Sequence, residues 1–243
     1  MKFIRYFLIS LLLSIIVGIL VQQAFAANEN LTYVALGDSL AEGVNDQGEK
    51  GKSYADYIAE RFEEDGTGVD FKKEYATAGF TSEDLRNQLK KREVKHQVKE
   101  ADLITISIGA NDFLSLVKKD ENGKIRFKPE DLAPTLAHIQ ENVRESIASI
   151  RKLNKEADIY VSGYYYPFPH MKNKDLSNTL KEVTRWLNGT IQDVVEKEGA
   201  TYVPVFEKFE EDPTTYVPNP KNIHPNEAGY RVMAEAFFDV YED

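Results

Sequence analysis

Thr32-Tyr33-Val34-Ala35-Leu36-Gly37-Asp38-Ser39 is the stretch whose reading decides the fold. Thr32 to Leu36 is short, apolar and partly β-branched, the pattern of a buried strand, and Gly37 breaks it. Ser39 therefore sits where a strand stops and the chain turns. A serine there is a candidate nucleophile, but a plain Gly-Asp-Ser turn between strand and helix has the same three residues. What lies further along the chain decides between them.

Working outward, apolar runs alternate with longer amphipathic ones. Tyr54 to Phe62 places Tyr54, Tyr57, Ile58, Ala59 and Phe62 near one helical face. Val69 to Ala78 reads as a second, weaker strand ending at Ala78-Gly79. Thr81-Ser82-Glu83-Asp84-Leu85 reads as a capped helix start, with Thr81 or Ser82 as the cap. Leu103 to Ile108 is the clearest strand of the chain and ends at Gly109-Ala110-Asn111-Asp112. Lys118 to Lys128, charged and containing Asn122-Gly123, reads as a surface hairpin. Pro129 to Leu153 carries Leu132, Leu136, Ile139, Val143, Ile147 and Ile150 at helical spacing. Ile159 to Tyr165 is a fourth strand, Leu176 to Val195 a helix, Thr201 to Phe206 a fifth strand and Asn226 to Tyr241 a closing helix. Alternation of this kind predicts an α/β fold, a three-layer α/β/α sandwich on a five-stranded parallel sheet.

Residues 1–26 stand apart: Lys2 and Arg5 precede an apolar run from Phe7 to Val21, and Ala24-Phe25-Ala26 follows, the pattern of a secretory signal peptide. The run is about 15 residues, short of the roughly 20 a spanning helix needs. The expectation is an exported, extracellular or cell-surface domain over residues 27–243, with retention on an uncut leader as the minor reading. Without residues 1–26 the chain keeps 28 basic against 40 acidic side chains, a formal net charge of −12. Such a surface disfavours nucleic acid and anionic membrane as partners. No cysteine is present, so there is no thiol nucleophile, disulfide or lipoprotein anchor. Asn30-Leu31-Thr32 and Asn188-Gly189-Thr190 fit the glycosylation pattern and are treated as chance.

In an open parallel sheet, ligands bind beyond the carboxyl ends of the strands, where strand order reverses. Four blocks fall there: Gly37-Asp38-Ser39, Ala78-Gly79-Phe80-Thr81, Gly109-Ala110-Asn111-Asp112, and His224-Pro225 with Gly229-Tyr230 following. In type and order they resemble the blocks of the GDSL esterases and lipases, also called SGNH hydrolases. The resemblance spans residues 27–243 and implies a flavodoxin-like sheet and a metal-free, cofactor-free serine hydrolase. It implies Ser39 as nucleophile and His224 as base. It also implies an oxyanion hole from the N–H groups of Ser39 and Gly79 and the Asn111 amide. The substrate it implies is a small-molecule or polymer-linked carboxylic ester, either a lipid ester or an O-acetyl group on carbohydrate.

The resemblance fails at one position. The family usually has Asp three residues before the histidine, where this chain has Lys221, which accepts no hydrogen bond. Another acceptor is then expected to orient the ring: Glu207, Glu210, Glu211, Asp212, the Asn222 amide oxygen or a loop carbonyl. If none does, the chain is a weakened enzyme or a binding protein that keeps the fold. In strand order 2-1-3-4-5 the last strand lies about 14 Å from the first, and residues 210–223 reach up to about 45 Å. Length does not keep His224 from Ser39.

Of the other histidines, His96 reads as solvated, His138 as a packing residue and His170 as a surface-loop residue after the fourth strand. Asp38 and Asp112 read as turn acceptors, and Glu42 as first-turn helix charge. Tyr164, Tyr165, Tyr166 and Phe168 read as core before pocket. Scattered histidines without His-Glu-x-x-His argue against zinc, and the absence of a Gly-rich phosphate loop argues against a nucleotide enzyme.

Overall fold

The computed structural model describes residues 30–119, 125–127 and 129–241. The leader at 1–26 and the Asn122-Gly123 tip lie outside the described residues. Strands are β1 Leu31–Gly37, β2 Val69–Lys72, β3 Leu103–Ser107, β4 Val117–Lys119, β5 Ile125–Phe127, β6 Asp158–Ser162 and β7 Thr201–Val203. Helices are α1 Ser39–Glu42, α2 Tyr54–Glu64, α3 Ser82–Gln88, α4 Arg92–Glu100, α5 Ala110–Leu114, α6 Leu132–Leu153, α7 Lys174–Lys197, α8 Phe206–Glu210, α9 Pro213–Tyr216 and α10 Glu227–Tyr241.

The main sheet is parallel, in the order β2-β1-β3-β6-β7. Tyr33 to Leu36 on β1 are fully buried because helices cover both faces of the sheet. On one side α3 and α4 pack against α6, which packs against α7; on the other, α2, α8 and α9 pack against α10. The apolar spacing read in α6 is the buried face: Leu132, Ile139, Val143, Ile147 and Ile150 are in the core. Each such side chain contributes about 1.5–3 kcal/mol of burial free energy. The surface hairpin is present as antiparallel β4 and β5. Among the described residues no helix is long and apolar enough to cross a membrane.

Three strands end earlier than their apolar runs. β2 stops at Lys72, where the Ala76 N–H turns back to the Lys73 carbonyl and the Thr77 N–H reaches the Gly37 carbonyl at 2.9 Å. That turn carries Ala78-Gly79 to the end of β1. β7 stops at Val203 because the chain leaves the extended conformation at Val205, whose φ of −98° and ψ of −26° are helical, and Phe206 begins α8. β6 consequently stops at Ser162, and the extended chain beyond it pairs with a side chain. The Asn188 amide on α7 accepts from the Tyr164 N–H and donates to the Tyr164 carbonyl, both at 2.8 Å.

Candidate active site

The chain order reverses between β1 and β3, and the cleft opens beyond the ends of these strands. Gly37 allows their closest approach: its φ is +122°, and a Cβ there would lie 2.0 Å from the Ser107 carbonyl oxygen. Asp38 caps α1 by accepting from the Leu40 N–H at 3.0 Å. It also accepts from the hydroxyls of Ser107 at 2.9 Å and Tyr164 at 2.6 Å. Burial pushes its carboxyl up to about 6, against the pull of those donors. Asp38 is therefore a structural acceptor that holds the first residue of α1, Ser39, at the cleft.

The Ser39 Oγ lies 2.8 Å from His224 Nε2. His224 Nδ1 lies 2.7 Å from Asn222 Oδ1, which also accepts from the His224 N–H at 3.2 Å. The Asn222 Nδ2 donates to the carbonyls of Asn45 at 3.2 Å and Asp46 at 3.0 Å. Two carbonyl oxygens thus claim the NH₂ end of the amide, and only the oxygen end is left for the ring. An acceptor at Nδ1 fixes the proton there, which leaves the Nε2 lone pair facing the serine. Among the orienting groups left open by the sequence, Asn222 is the one in place; Glu210 is paired with Lys181 at 2.6 Å instead. Burial, with no carboxylate against the ring, holds the His224 pKa below 6.5.

Gly79 and Asn111 line the same cleft. The N–H groups of Ser39 and Gly79 have no hydrogen-bond partner among the described residues. Gly79 has φ +84° and open space where a Cβ would go, so the glycine supplies a backbone conformation and not room. The loop is held by Glu42, whose Oε2 accepts from the Ala78 N–H at 3.0 Å. The helix charge read at Glu42 thus has a specific use. The Asn111 Nδ2 donates to the Phe80 carbonyl at 2.8 Å, which ties that amide to the same loop. Asp112 accepts from the Ser82 N–H and hydroxyl, as a turn acceptor does.

The tyrosines after β6 contribute more than core packing. Tyr164 and Tyr165 are buried and also line the cleft. The Tyr165 hydroxyl donates to the Ile223 carbonyl at 2.7 Å, between Asn222 and His224, and its ring stacks on Phe209 at 4.3 Å. On α10 the Tyr230 hydroxyl donates to the Val44 carbonyl at 2.6 Å. Gly229 passes so close to Pro225 that a Cβ would lie 2.7 Å from it, which accounts for the Gly-Tyr pair after His224. Sequence reasoning missed these hydroxyl anchors; the signal for Tyr164 and Tyr165 was their position at a strand's carboxyl end, and for Tyr230 its place in the block that follows His224. His96 is exposed, as read. His138 is also exposed and lies 4.0 Å from Glu83, so it is not the packing residue its apolar neighbours suggested. His170 accepts from or donates to no catalytic group; its Nε2 lies 2.9 Å from the Val217 carbonyl.

The cleft has a volume of about 260 Å³ and runs from Ser39 between α5 and α7, walled by Leu40, Phe113, Leu114, Leu187 and Ile223. The Thr184 hydroxyl on this wall is taken up by the Leu180 carbonyl. Serine, imidazole and amide therefore stand at one end of an apolar chamber. Such an arrangement suits proton transfer from an alcohol nucleophile to a neutral base.

The family model described as the GDSL-like Lipase/Acylhydrolase family matches residues 35–232. The chain is 27% identical over 215 residues to the uncharacterized protein YpmR of Bacillus subtilis strain 168, covering 87% of this chain and 82% of that one. It is 26% identical over 212 residues to the spore germination lipase LipC of Bacillus licheniformis, covering 84% and 93%. In fold it is similar to the lipase Lip_vut3 from a goat rumen metagenome, at a TM-score of 0.69 and 23% identity over 86% of this chain and 97% of that one.

Proposed function

The chain belongs to the GDSL-like lipase/acylhydrolase family, and on that premise we propose that it hydrolyses esters of medium-length fatty acids through an acyl-enzyme on Ser39. The observation that carries this reading is the 2.8 Å contact between Ser39 Oγ and His224 Nε2 at the mouth of an apolar cleft. The hydroxyl attacks the ester carbonyl as its proton passes to Nε2. The N–H groups of Ser39 and Gly79 and the Asn111 amide receive the oxyanion, each such donor being worth on the order of 3 kcal/mol. The imidazolium returns the proton to the leaving alcohol, and water, deprotonated by the same nitrogen, releases the acid. Asn222 keeps the ring in the tautomer that both steps need, which weighs against the binding-protein reading.

Cleft size supports acyl chains over acetyl groups. A chamber of about 260 Å³ holds roughly eight groups of the ~30 Å³ that one water occupies in the liquid. An acetyl methyl fills a small part of that, while a six- to eight-carbon chain fills most of it. We expect kcat/KM for p-nitrophenyl esters to rise by about fourfold per methylene from acetate until the cleft is full, at about 0.8 kcal/mol each. A preference for acetate over hexanoate would reject the acyl-chain reading in favour of a carbohydrate O-acetyl esterase.

The pH dependence has a definite sign. Since burial lowers the His224 pKa, the neutral base persists to a pH below 6.5, and activity falls only as acid protonates the ring beneath that value. The acid limb of kcat/KM is expected below pH 6.5; a limb above it would mean an anion beside the ring. The basic and apolar leader supports export of the enzyme, and the mass of the protein recovered from the medium tests cleavage after Ala26.

A further inference from the structure

We propose that a second groove beside the catalytic cleft binds the alcohol half of the ester and selects alcohols that carry a phosphate near the ester oxygen. This rests on the hydrolase reading above. The groove has a volume of about 260 Å³ and runs between the segments 167–172 and 219–223. Pro167 and Ile223 line both spaces, so the two meet along one ridge. If the acyl chain fills the apolar cleft, the alcohol must leave past His224. Asn222 and Ile223, which immediately precede that histidine, are part of this groove's wall.

The charge of the groove is opposite to that of the chain. The chain carries a formal net charge of −10, yet the groove is lined by Lys172 and Lys221, one from each wall, and by no carboxylate. Neither ammonium is in an ion pair among the described residues. The other polar groups are committed to holding the walls. The His170 Nε2 bonds the Val217 carbonyl, and the Asn219 amide donates to the Asp46 carbonyl and accepts from the Lys221 N–H. Asp46, the nearest acid reached by these bonds, turns its Oδ2 to the Gln47 amide. The wall bearing Lys221 is also pinned by the bond from Tyr165 to the Ile223 carbonyl. Two free cations on a fixed frame, within a few residues of the leaving-group acid, suit a phosphate oxyanion. Lys221 occupies the position at which a carboxylate is expected. With Asn222 orienting the ring, that position is released for binding.

The test compares 1-hexanoylglycerol with 1-hexanoylglycerol 3-phosphate, which share acyl chain and glycerol, at low ionic strength. The ratio of kcat/KM, phosphorylated over neutral, is expected at roughly 5 to 10 for the wild type, as two exposed ion pairs provide. It should fall below 1 in K172E/K221E. Taking the ratio within each protein cancels any general loss of activity from a change beside Asn222. A wild-type ratio of 1 or less, or the same ratio in the variant, overturns the proposal. If neither ester is turned over, the hydrolase reading fails separately. Calorimetric titration of glycerol 3-phosphate then judges the groove: binding by wild type and not by the variant supports it, and no binding or equal binding overturns it. Inorganic phosphate binding as tightly as glycerol 3-phosphate would also overturn it, as that marks a site for the free anion.

Discussion

Ser39→Ala is expected to lower kcat for p-nitrophenyl hexanoate by about 10⁵- to 10⁶-fold, the scale on which a serine hydrolase loses rate with its nucleophile. The fold should be untouched. Asp38 caps α1 through the Leu40 N–H and not through Ser39, and alanine is a good helix former. What disappears is the hydroxyl 2.8 Å from His224. The donors of Ser39, Gly79 and Asn111 remain, so a residual rate above buffer should persist. Because the two groups act as a unit, His224→Ala should cost about as much, and the double variant no more than either single one. Steady-state rates with a matching thermal unfolding curve check this. A loss of less than tenfold for Ser39→Ala would end the acyl-enzyme reading.

Changes at Asn222 are expected to have the next largest effect. Asn222→Ala removes the acceptor at His224 Nδ1, so the ring is free to place its proton on Nε2, the wrong side for a base. In serine proteases, losing the correct tautomer costs about 10⁴ in rate; here the expected loss is about 10³, since the partner is a neutral amide. The same variant loses the bonds to the Asn45 and Asp46 carbonyls, so a fall in stability would accompany it. Asn222→Asp separates orientation from scaffolding. It loses the same two bonds but puts a carboxylate against the ring, which favours the imidazolium and raises its pKa. The acid limb of kcat/KM should therefore move up in pH relative to wild type. A merely structural role would leave the limb where it is, and an Asn222→Ala enzyme retaining a third of wild-type kcat would remove Asn222 from the mechanism.

The elements with one strong local signal were legible in the chain. β1, β3 and the buried face of α6 follow from apolar runs and spacing, and a parallel sheet covered by helices follows from their alternation, whereas the strand order does not. Strand ends were less legible, because β2, β6 and β7 stop for reasons held elsewhere. One is a turn that reaches the Gly37 carbonyl, one is the Asn188 amide, and one is the helical turn at Val205, which ends the ladder for the neighbouring strand as well. His138 was misread for a similar reason: adjacency to apolar helix positions does not say which way a side chain faces.

By itself, the order of residues determined the layered parallel sheet and the four loop blocks from which Ser39, Gly79, Asn111 and His224 come, since burial pattern and turn chemistry are local properties. Only the tertiary structure decided what orients the histidine. The choice of Asn222 depends on two carbonyls of the 45–46 turn, more than 170 residues away in the chain, claiming one end of its amide. Hydrogen bonds between distant loops are set by how the helices and sheet pack, and no spacing along the chain encodes them.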